Sequence, residues 1–276
     1  MSLPGFSDSV EITDSEYAQF QQLIYKIAGI SMSDSKRTLL VGRLGKRLRH
    51  HKLKSYSDYY KLVTGPVGKQ ELQQMVDLLT TNETYFFREP RHFEFLTNTI
   101  LAQHPAGQPF NVWSGASSTG EEIYTLCMVL ADKLGARGNW SVLGSDLSTQ
   151  VLGIAEKGEY ILERTRGLSK PYLDKYCTLG SGDKQGTFTV SSELRQHTKF
   201  RQVNLNQPLP LDLGKFHVIF LRNVMIYFDN PTKRQVVAKL VQRLHPGGYL
   251  IIGHSESLNG LTEQLTVVQP TIYQLP

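Results

Sequence analysis

Between residues 14 and 79 the apolar side chains recur every three or four positions, the spacing that gathers them on one face of a helix. Residues 14–28 and 57–62 read as helices, and Leu72, Met75, Val76 and Leu79 predict another over 70–79. Gly29 and the Gly65-Pro66 pair mark breaks between these helices. Beyond Thr80 the pattern changes to short apolar runs at 110–113, 141–144, 216–221 and 249–252, which read as buried parallel strands. Residues 119–134, 148–156 and 231–244 supply intervening helices, the last opened by Pro231 at a position suited to a first turn. Strands and helices in alternation predict an α/β fold built on an open, doubly wound sheet. Residues 160 to about 200 break the alternation. There Gly167, Gly180, Gly182 and Gly186 surround a strand-like 187–190, so an inserted subdomain with a small antiparallel element is expected.

Composition adds limits rather than a direction. The chain has 276 residues, 40% of them hydrophobic, enough to bury an ordinary core without disulfides or a metal. Cys127 and Cys177 are the only cysteines, and no charged segment followed by an apolar run opens the sequence, so a reducing, cytoplasmic setting is expected. Charges or glycines interrupt every apolar run, and membrane insertion is not expected.

The formal charge of +5 is a modest field over a chain of this size, but it is concentrated. Positions 36–54 hold Lys36, Arg37, Arg43, Lys46, Arg47, Arg49, Lys52 and Lys54, with two histidines and no acid. At 100° per residue, Leu40, Val41, Leu44 and Leu48 share one face, while Lys36, Arg43, Lys46, Arg47, His50 and Lys54 share another. Such a stripe is either a solvated helix face or a docking surface for an acidic partner.

Four segments carry candidate chemistry. Residues 111–122, NVWSGASSTGEE, end a strand in small side chains and open a helix, a turn that lets backbone approach a ligand closely. The segment has neither the G-x-G-x-x-G fingerprint of dinucleotide enzymes nor the G-K-[ST] ending of a P-loop. Asp146 follows the next strand, where a carboxylate can accept hydrogen bonds from both hydroxyls of a ribose; the same residue also suits a helix N-cap. Residues 216–229, FHVIFLRNVMIYFD, place Arg222 and Asn223 at a strand end, with Tyr227 and Phe228 beyond them. Residues 79–90, LTTNETYFFREP, lie between the helical and the α/β regions and combine amide, hydroxyl and guanidinium groups with aromatic rings.

Taken together, TTNETYFFRE, WSGASSTGEE, GSDLS, NLNQPLP, FHVIFLRNVMIYFD and GGYLIIGHSESL, in this order, resemble the CheR-type chemotaxis receptor glutamate O-methyltransferases, from about Asp14 to the end of the chain. The resemblance implies a small all-helical N-terminal domain (1–80) that docks on the receptor and a linker (81–95) contributing to the cofactor site. It implies, beyond these, a Rossmann-like methyltransferase domain (96–276) with an inserted β-subdomain at about 160–200. It also implies S-adenosylmethionine as cofactor, S-adenosylhomocysteine as product, and glutamates on the cytoplasmic helical bundle of chemoreceptors as substrate. Carried over by motif, the cofactor contacts fall on Asn82, Thr84, Arg88, Glu122, Asp146, Asn204, Leu205, Arg222 and Asn223, and the catalytic pair on Arg88 and Tyr227.

The basic stripe then gains a client in the acidic methylation helices of receptors. The β-subdomain corresponds in position to one that, in some members of the family, binds a receptor C-terminal peptide. No metal is expected, and His254 reads as structural. The sequence lacks the polar-Pro-Pro-aromatic arrangement of methyltransferases acting on bases, so nucleic acid is not the expected substrate. A regulatory module that binds the cofactor without transfer stays open as a second reading.

Overall fold

The computed structural model describes residues 10–276; residues 1–9, which include the start of the expected helical domain and the segment searched for a leader, lie outside the described residues. The chain divides into two compact units, residues 1–81 and 82–276.

Among its described residues the first unit holds four α-helices, α1 (Asp14–Ala28), α2 (Arg37–His50), α3 (Tyr56–Thr64) and α4 (Lys69–Leu79). Thr13 and Glu16 form a reciprocal capping box on α1, and Gly29 closes it in the left-handed region at φ 71°. Glu16 also reaches Ser57, whose backbone N–H and hydroxyl donate to Oε1 at 2.7 and 2.8 Å, so one side chain caps α1 and ties it to α3. The core is built from Phe20 and Ile24 of α1, Leu40, Leu44 and Leu48 of α2, Tyr56 and Tyr59 of α3, and Met75, Val76 and Leu79 of α4; of the faces expected for α2 and α4, Val41 and Leu72 are only half-buried.

The basic helix differs from its expected layout. Arg47 turns inward, donating from Nε and Nη2 to the two oxygens of Glu71 at 2.7 and 2.5 Å. The Tyr59 hydroxyl donates to the same carboxylate at 2.8 Å, and His51 Nε2 lies 2.9 Å from it. Burial pushes the Glu71 carboxyl up, but the hydrogen bonds from Arg47, His51 and Tyr59 outweigh it and hold the group at about 2. Arg43 donates to the carbonyls of Leu79 and Thr80 at 3.2 and 3.0 Å, satisfying the C-terminal end of α4. Lys36, Lys46, Arg49, His50, Lys52 and Lys54 remain exposed. Helical periodicity could not separate the two sets, because Arg43 and Arg47 find their partners on a different helix.

In the second unit, α5 (Arg91–Phe95) and α6 (Leu101–Gln103) flank a π-helical turn and precede the main sheet. The sheet contains β1 (Phe110–Ser114), β2 (Trp140–Asp146), β6 (Thr198–Gln202), β7 (Phe216–Leu221), β8 (Leu244–Ile252), β9 (Thr266–Gln269) and β10 (Ile272–Gln274). Their order is β6-β2-β1-β7-β8-β10-β9. Strands β6 to β8 are parallel, and β10 and β9 add an antiparallel edge. The chain therefore leaves β1 on one side to build β2 and on the other to build β7, and the crevice outside their carboxyl ends is where such sheets bind ligands.

Helices α7 (Glu121–Leu134), α8 (Thr149–Lys157) and α11 (Asn230–Val241) connect the strands. Helix α7 is buried almost all round, from Ile123 through Ala131. The expected helix at 231–244 ends at Val241, and Leu244 already belongs to β8.

The insertion contains a three-stranded antiparallel sheet, β3 (Glu159–Ile161), β5 (Thr187–Val190) and β4 (Cys177–Leu179), with β5 central, together with α9 (Lys170–Tyr176) and α10 (Ser192–Arg195). It ends before residue 200, because β6 pairs in parallel with β2 from Thr198 onward. Phe188 of β5 and Tyr160 of β3 close on Phe86, at ring separations of 5.9 and 5.2 Å, so the insertion shares the core of this unit. Among the described residues no helix is long and apolar enough to cross a membrane.

Candidate cofactor and transfer site

Loops leaving the carboxyl ends of β1 and β7 meet residues 82–90, and the end of β2 joins the β1 loop through Asp146. After β1, Gly115 N donates to Phe220 O at 2.8 Å and Ser117 N to Ser145 O at 2.8 Å, which fastens the turn to both neighbouring strands. Gly120 precedes α7 at φ 96°, and a Cβ there would lie 2.8 Å from Ala155 Cβ and 2.9 Å from the Tyr160 hydroxyl. Any side chain there would be strained and would force its neighbours to shift.

Asp146 ends β2 and fixes the turn from below. Its Oδ2 accepts from Ser118 N and its Oδ1 from Ser148 N, both at 2.9 Å. The N-cap of α8 is Ser148, not Asp146, so the capping alternative for this carboxylate does not hold. Ser118 Oγ donates to Asn82 O at 2.9 Å, bringing the 82–90 segment against the turn. Ser117 Oγ is buried in the same loop and has no hydrogen-bond partner among the described residues.

Arg222 is the hub of a second cluster, its side chain only 2% exposed. Nη1 donates to Glu122 Oε2 at 3.0 Å, Nε and Nη2 face Glu89 Oε2 at 3.3 and 3.2 Å, and Nη2 also donates to Arg88 O. The Phe93 ring covers the guanidinium at 5.4 Å. Ser114 at the end of β1 donates to the other Glu122 oxygen at 2.7 Å. Burial raises the Glu89 carboxyl, but the Arg222 charge and hydrogen bonds from Asn223 and His254 override it, so its acidity is strengthened.

Asn223 adopts φ 57°, and its backbone N–H donates to Glu256 Oε2 at 2.9 Å. Glu256 also accepts from Gly253 N at 2.7 Å and Ile226 N at 3.3 Å, pinning the short turn that carries Tyr227. Burial pushes the Glu256 carboxyl up against these bonds. Among the described residues, four of the six non-glycine residues with positive φ, namely Phe87, Glu89, Ser118 and Asn223, belong to this region. Backbone strain of about 1–3 kcal/mol per residue, held by the surrounding bonds, is characteristic of ligand sites.

Of the residues nominated from sequence, the structure joins Glu122 to Arg222 and brings Arg88 to Arg222 through its carbonyl. Asn82 meets the β1 turn through its carbonyl. The Arg88 side chain itself turns to Glu83 O at 2.8 Å and the Tyr85 ring at 5.8 Å. Thr84 is half-buried, Leu205 is buried, and Asn204 accepts from Asn206 N at 2.9 Å. Tyr227 is half-buried and its hydroxyl makes no hydrogen bond among the described residues.

Neither Glu89 nor Glu256 is among the site residues expected from the sequence. Each acts by accepting N–H groups from distant parts of the chain, which no local spacing signals. Glu89, His92 and His254 set potential metal-ligating atoms within 4.8 Å of one another. Both Glu89 oxygens, however, already accept from Arg222, Asn223 and His254, and the guanidinium repels a cation. The donor set does not fit a metal.

Comparison with known proteins agrees with this geometry. Residues 15–80 match the model of the CheR methyltransferase all-alpha domain, and residues 82–274 match the CheR methyltransferase SAM binding domain. A chemotaxis protein methyltransferase of Escherichia coli (strain K12) is 38% identical, with 98% of this chain and 93% of that protein aligned. That of Salmonella typhimurium (strain LT2) is 38% identical over 96% of this chain and 91% of that protein. Chemotaxis protein methyltransferase 2 of Pseudomonas aeruginosa (strain PAO1) is 37% identical over 95% and 93%. The unpartnered Ser117 hydroxyl, the Gly120 turn and the carboxylate at the end of β2 fit S-adenosylmethionine in the β1–β2–β7 crevice. With both of its units matched by the two domain models of one family, the chain belongs to the CheR methyltransferases.

Proposed function

We propose that the protein transfers a methyl group from S-adenosylmethionine to glutamate side chains of bacterial chemoreceptors, releasing S-adenosylhomocysteine, in the cytoplasmic adaptation of chemosensory signalling. The observation that carries this reading is the convergence of Asp146, Glu122, Arg222 and Asn223 outside the carboxyl ends of β1, β2 and β7. Bound cofactor supplies an electrophilic sulfonium methyl. Asp146 is set to receive ribose hydroxyls, and Glu122, steered by Ser114 and Arg222, to receive an ammonium group. Asn82, Thr84, Arg88, Asn204, Leu205 and Asn223 complete the proposed contacts.

The acceptor glutamate is ionised at neutral pH and is itself the nucleophile. Its oxygen forms the new C–O bond while the methyl–sulfur bond breaks with its electron pair going to sulfur, so no side chain has to take a proton. Arg88 and Tyr227 therefore act by holding the carboxylate in line, and alignment of this kind contributes about 7–11 kcal/mol.

The exposed Lys36, Lys46, His50 and Lys54 form the proposed docking stripe for the acidic receptor bundle, while Arg43 and Arg47 stabilise the helical unit that displays it. The β-subdomain, with β3 and β4 as its two edge strands, is the proposed place for a receptor C-terminal peptide, joined by strand addition.

The test is transfer of labelled methyl to membranes carrying the host's own chemoreceptors, scored as methanol released by mild alkali. Alkali-labile label that disappears in Arg88→Ala and Tyr227→Phe is expected. Cofactor binding with no transfer to any of those receptors would favour the regulatory-module reading.

A further inference from the structure

Glu89 stands between the two segments that supply most of the proposed cofactor contacts, yet it is not among those contacts. Its carboxylate is 11% exposed and receives four N–H donors. Oε2 takes Nε and Nη2 of Arg222, and Oε1 takes Asn223 Nδ2 and the backbone N–H of His254, both at 3.2 Å. The residue holds this place at φ 58°, a conformation a side chain adopts only when its surroundings demand it.

We infer that Glu89 is the positioning residue of the cofactor site, fixing Arg222 and Asn223 by accepting from both at once. The inference rests on the proposed assignment of those two residues to the cofactor. Its physical basis is the donor inventory. A carboxylate offers only acceptors, and all four partners are donors. An amide in the same place must aim its NH2 either at the guanidinium or at Asn223 and the His254 N–H, so no orientation of glutamine serves both sides. Aspartate keeps the charge but is one methylene short, and from one backbone position it cannot span Arg222 and Asn223 together.

The test is calorimetric titration of the full chain with S-adenosylmethionine, which needs no receptor, for the parent, Glu89→Gln, Glu89→Asp, Asn223→Ala and the Glu89→Gln/Asn223→Ala double variant. Expected are at least tenfold weaker binding in Glu89→Gln, at least threefold in Glu89→Asp, and a double-variant loss clearly smaller than the product of the single losses, since both act through one network. Parent-like affinity in Glu89→Asp, or in a folded Glu89→Gln, overturns the inference, and so does a double loss equal to the product. The aspartate variant keeps the test decisive if the glutamine variant does not fold. Unchanged affinity in Asn223→Ala refutes the underlying site assignment and removes the inference with it, whereas weakening in Asn223→Ala beside an unaffected Glu89→Gln refutes the inference alone.

Discussion

Replacing Arg47 by alanine separates the two uses a basic helix can have. Arg47 and Glu71 lie 23% and 10% exposed, joined by a two-pronged ion pair whose carboxylate also takes the Tyr59 hydroxyl. Removing one partner of a buried pair leaves an uncompensated charge and costs about 3–5 kcal/mol. The lower end applies here, because Arg47 is partly exposed and the Glu71 carboxylate keeps the Tyr59 hydroxyl as a donor. For a domain of this size, about 3 kcal/mol corresponds to a fall in midpoint of about 12 °C or more.

Hydrogen exchange of the α2 to α4 amides reads the loss in the helical unit itself, and titration with S-adenosylmethionine checks that the second unit is untouched. Collapse of protection in α2 to α4 with parent-like cofactor affinity is the expected result. Parent-like protection together with lost receptor methylation would refute the reasoning and return Arg47 to the docking surface.

Three further outcomes follow from the same structure. The Glu71 carboxyl is held at about 2 in the folded unit against an ordinary 4.5, so its contribution is fully present above about 4.5 and is lost as pH falls through 2. The midpoint of the helical unit should therefore fall between pH 5 and pH 2, and Glu71→Gln, less stable throughout, should show a flatter profile over that range. Lys46→Glu with Lys54→Glu, both at exposed positions, should leave stability within about 0.5 kcal/mol while slowing receptor methylation and reducing its salt dependence; unchanged rates at low salt would count against the docking stripe. Gly120→Ala should cost about 1–3 kcal/mol from its positive φ alone and weaken S-adenosylmethionine binding by crowding Ala155 and Tyr160; calorimetric affinity equal to the parent would show that the turn tolerates a Cβ.

Local pattern determined a large part of this protein. Helices α1 and α4 lie where the 3.6-residue period of apolar side chains places them, and β1, β2 and β7 where short uninterrupted apolar runs do, because both signals arise from neighbours in the chain. The glycine-rich turn after β1 and the acid at the end of β2 were legible for the same reason. The six ordered blocks carried the family.

Pairing between distant segments was decided only by the tertiary structure. Strands β9 and β10 have no strong apolar period of their own, the four positions of β9 being exposed; β10 pairs on the edge that β8 offers, and β9 on the edge that β10 then offers. Strand β6 belongs to the main sheet rather than to the insertion because β2 pairs with it. Arg43 and Arg47 share a helical face with Lys46 in sequence, and a carbonyl pair and a buried carboxylate on α4 turn them inward. Glu89 meets Arg222 across 133 positions, and Glu256 meets Asn223 across 33. Burial and hydrogen-bond saturation are properties of the folded neighbourhood, and a carboxylate carries no mark in the sequence of which N–H groups will surround it.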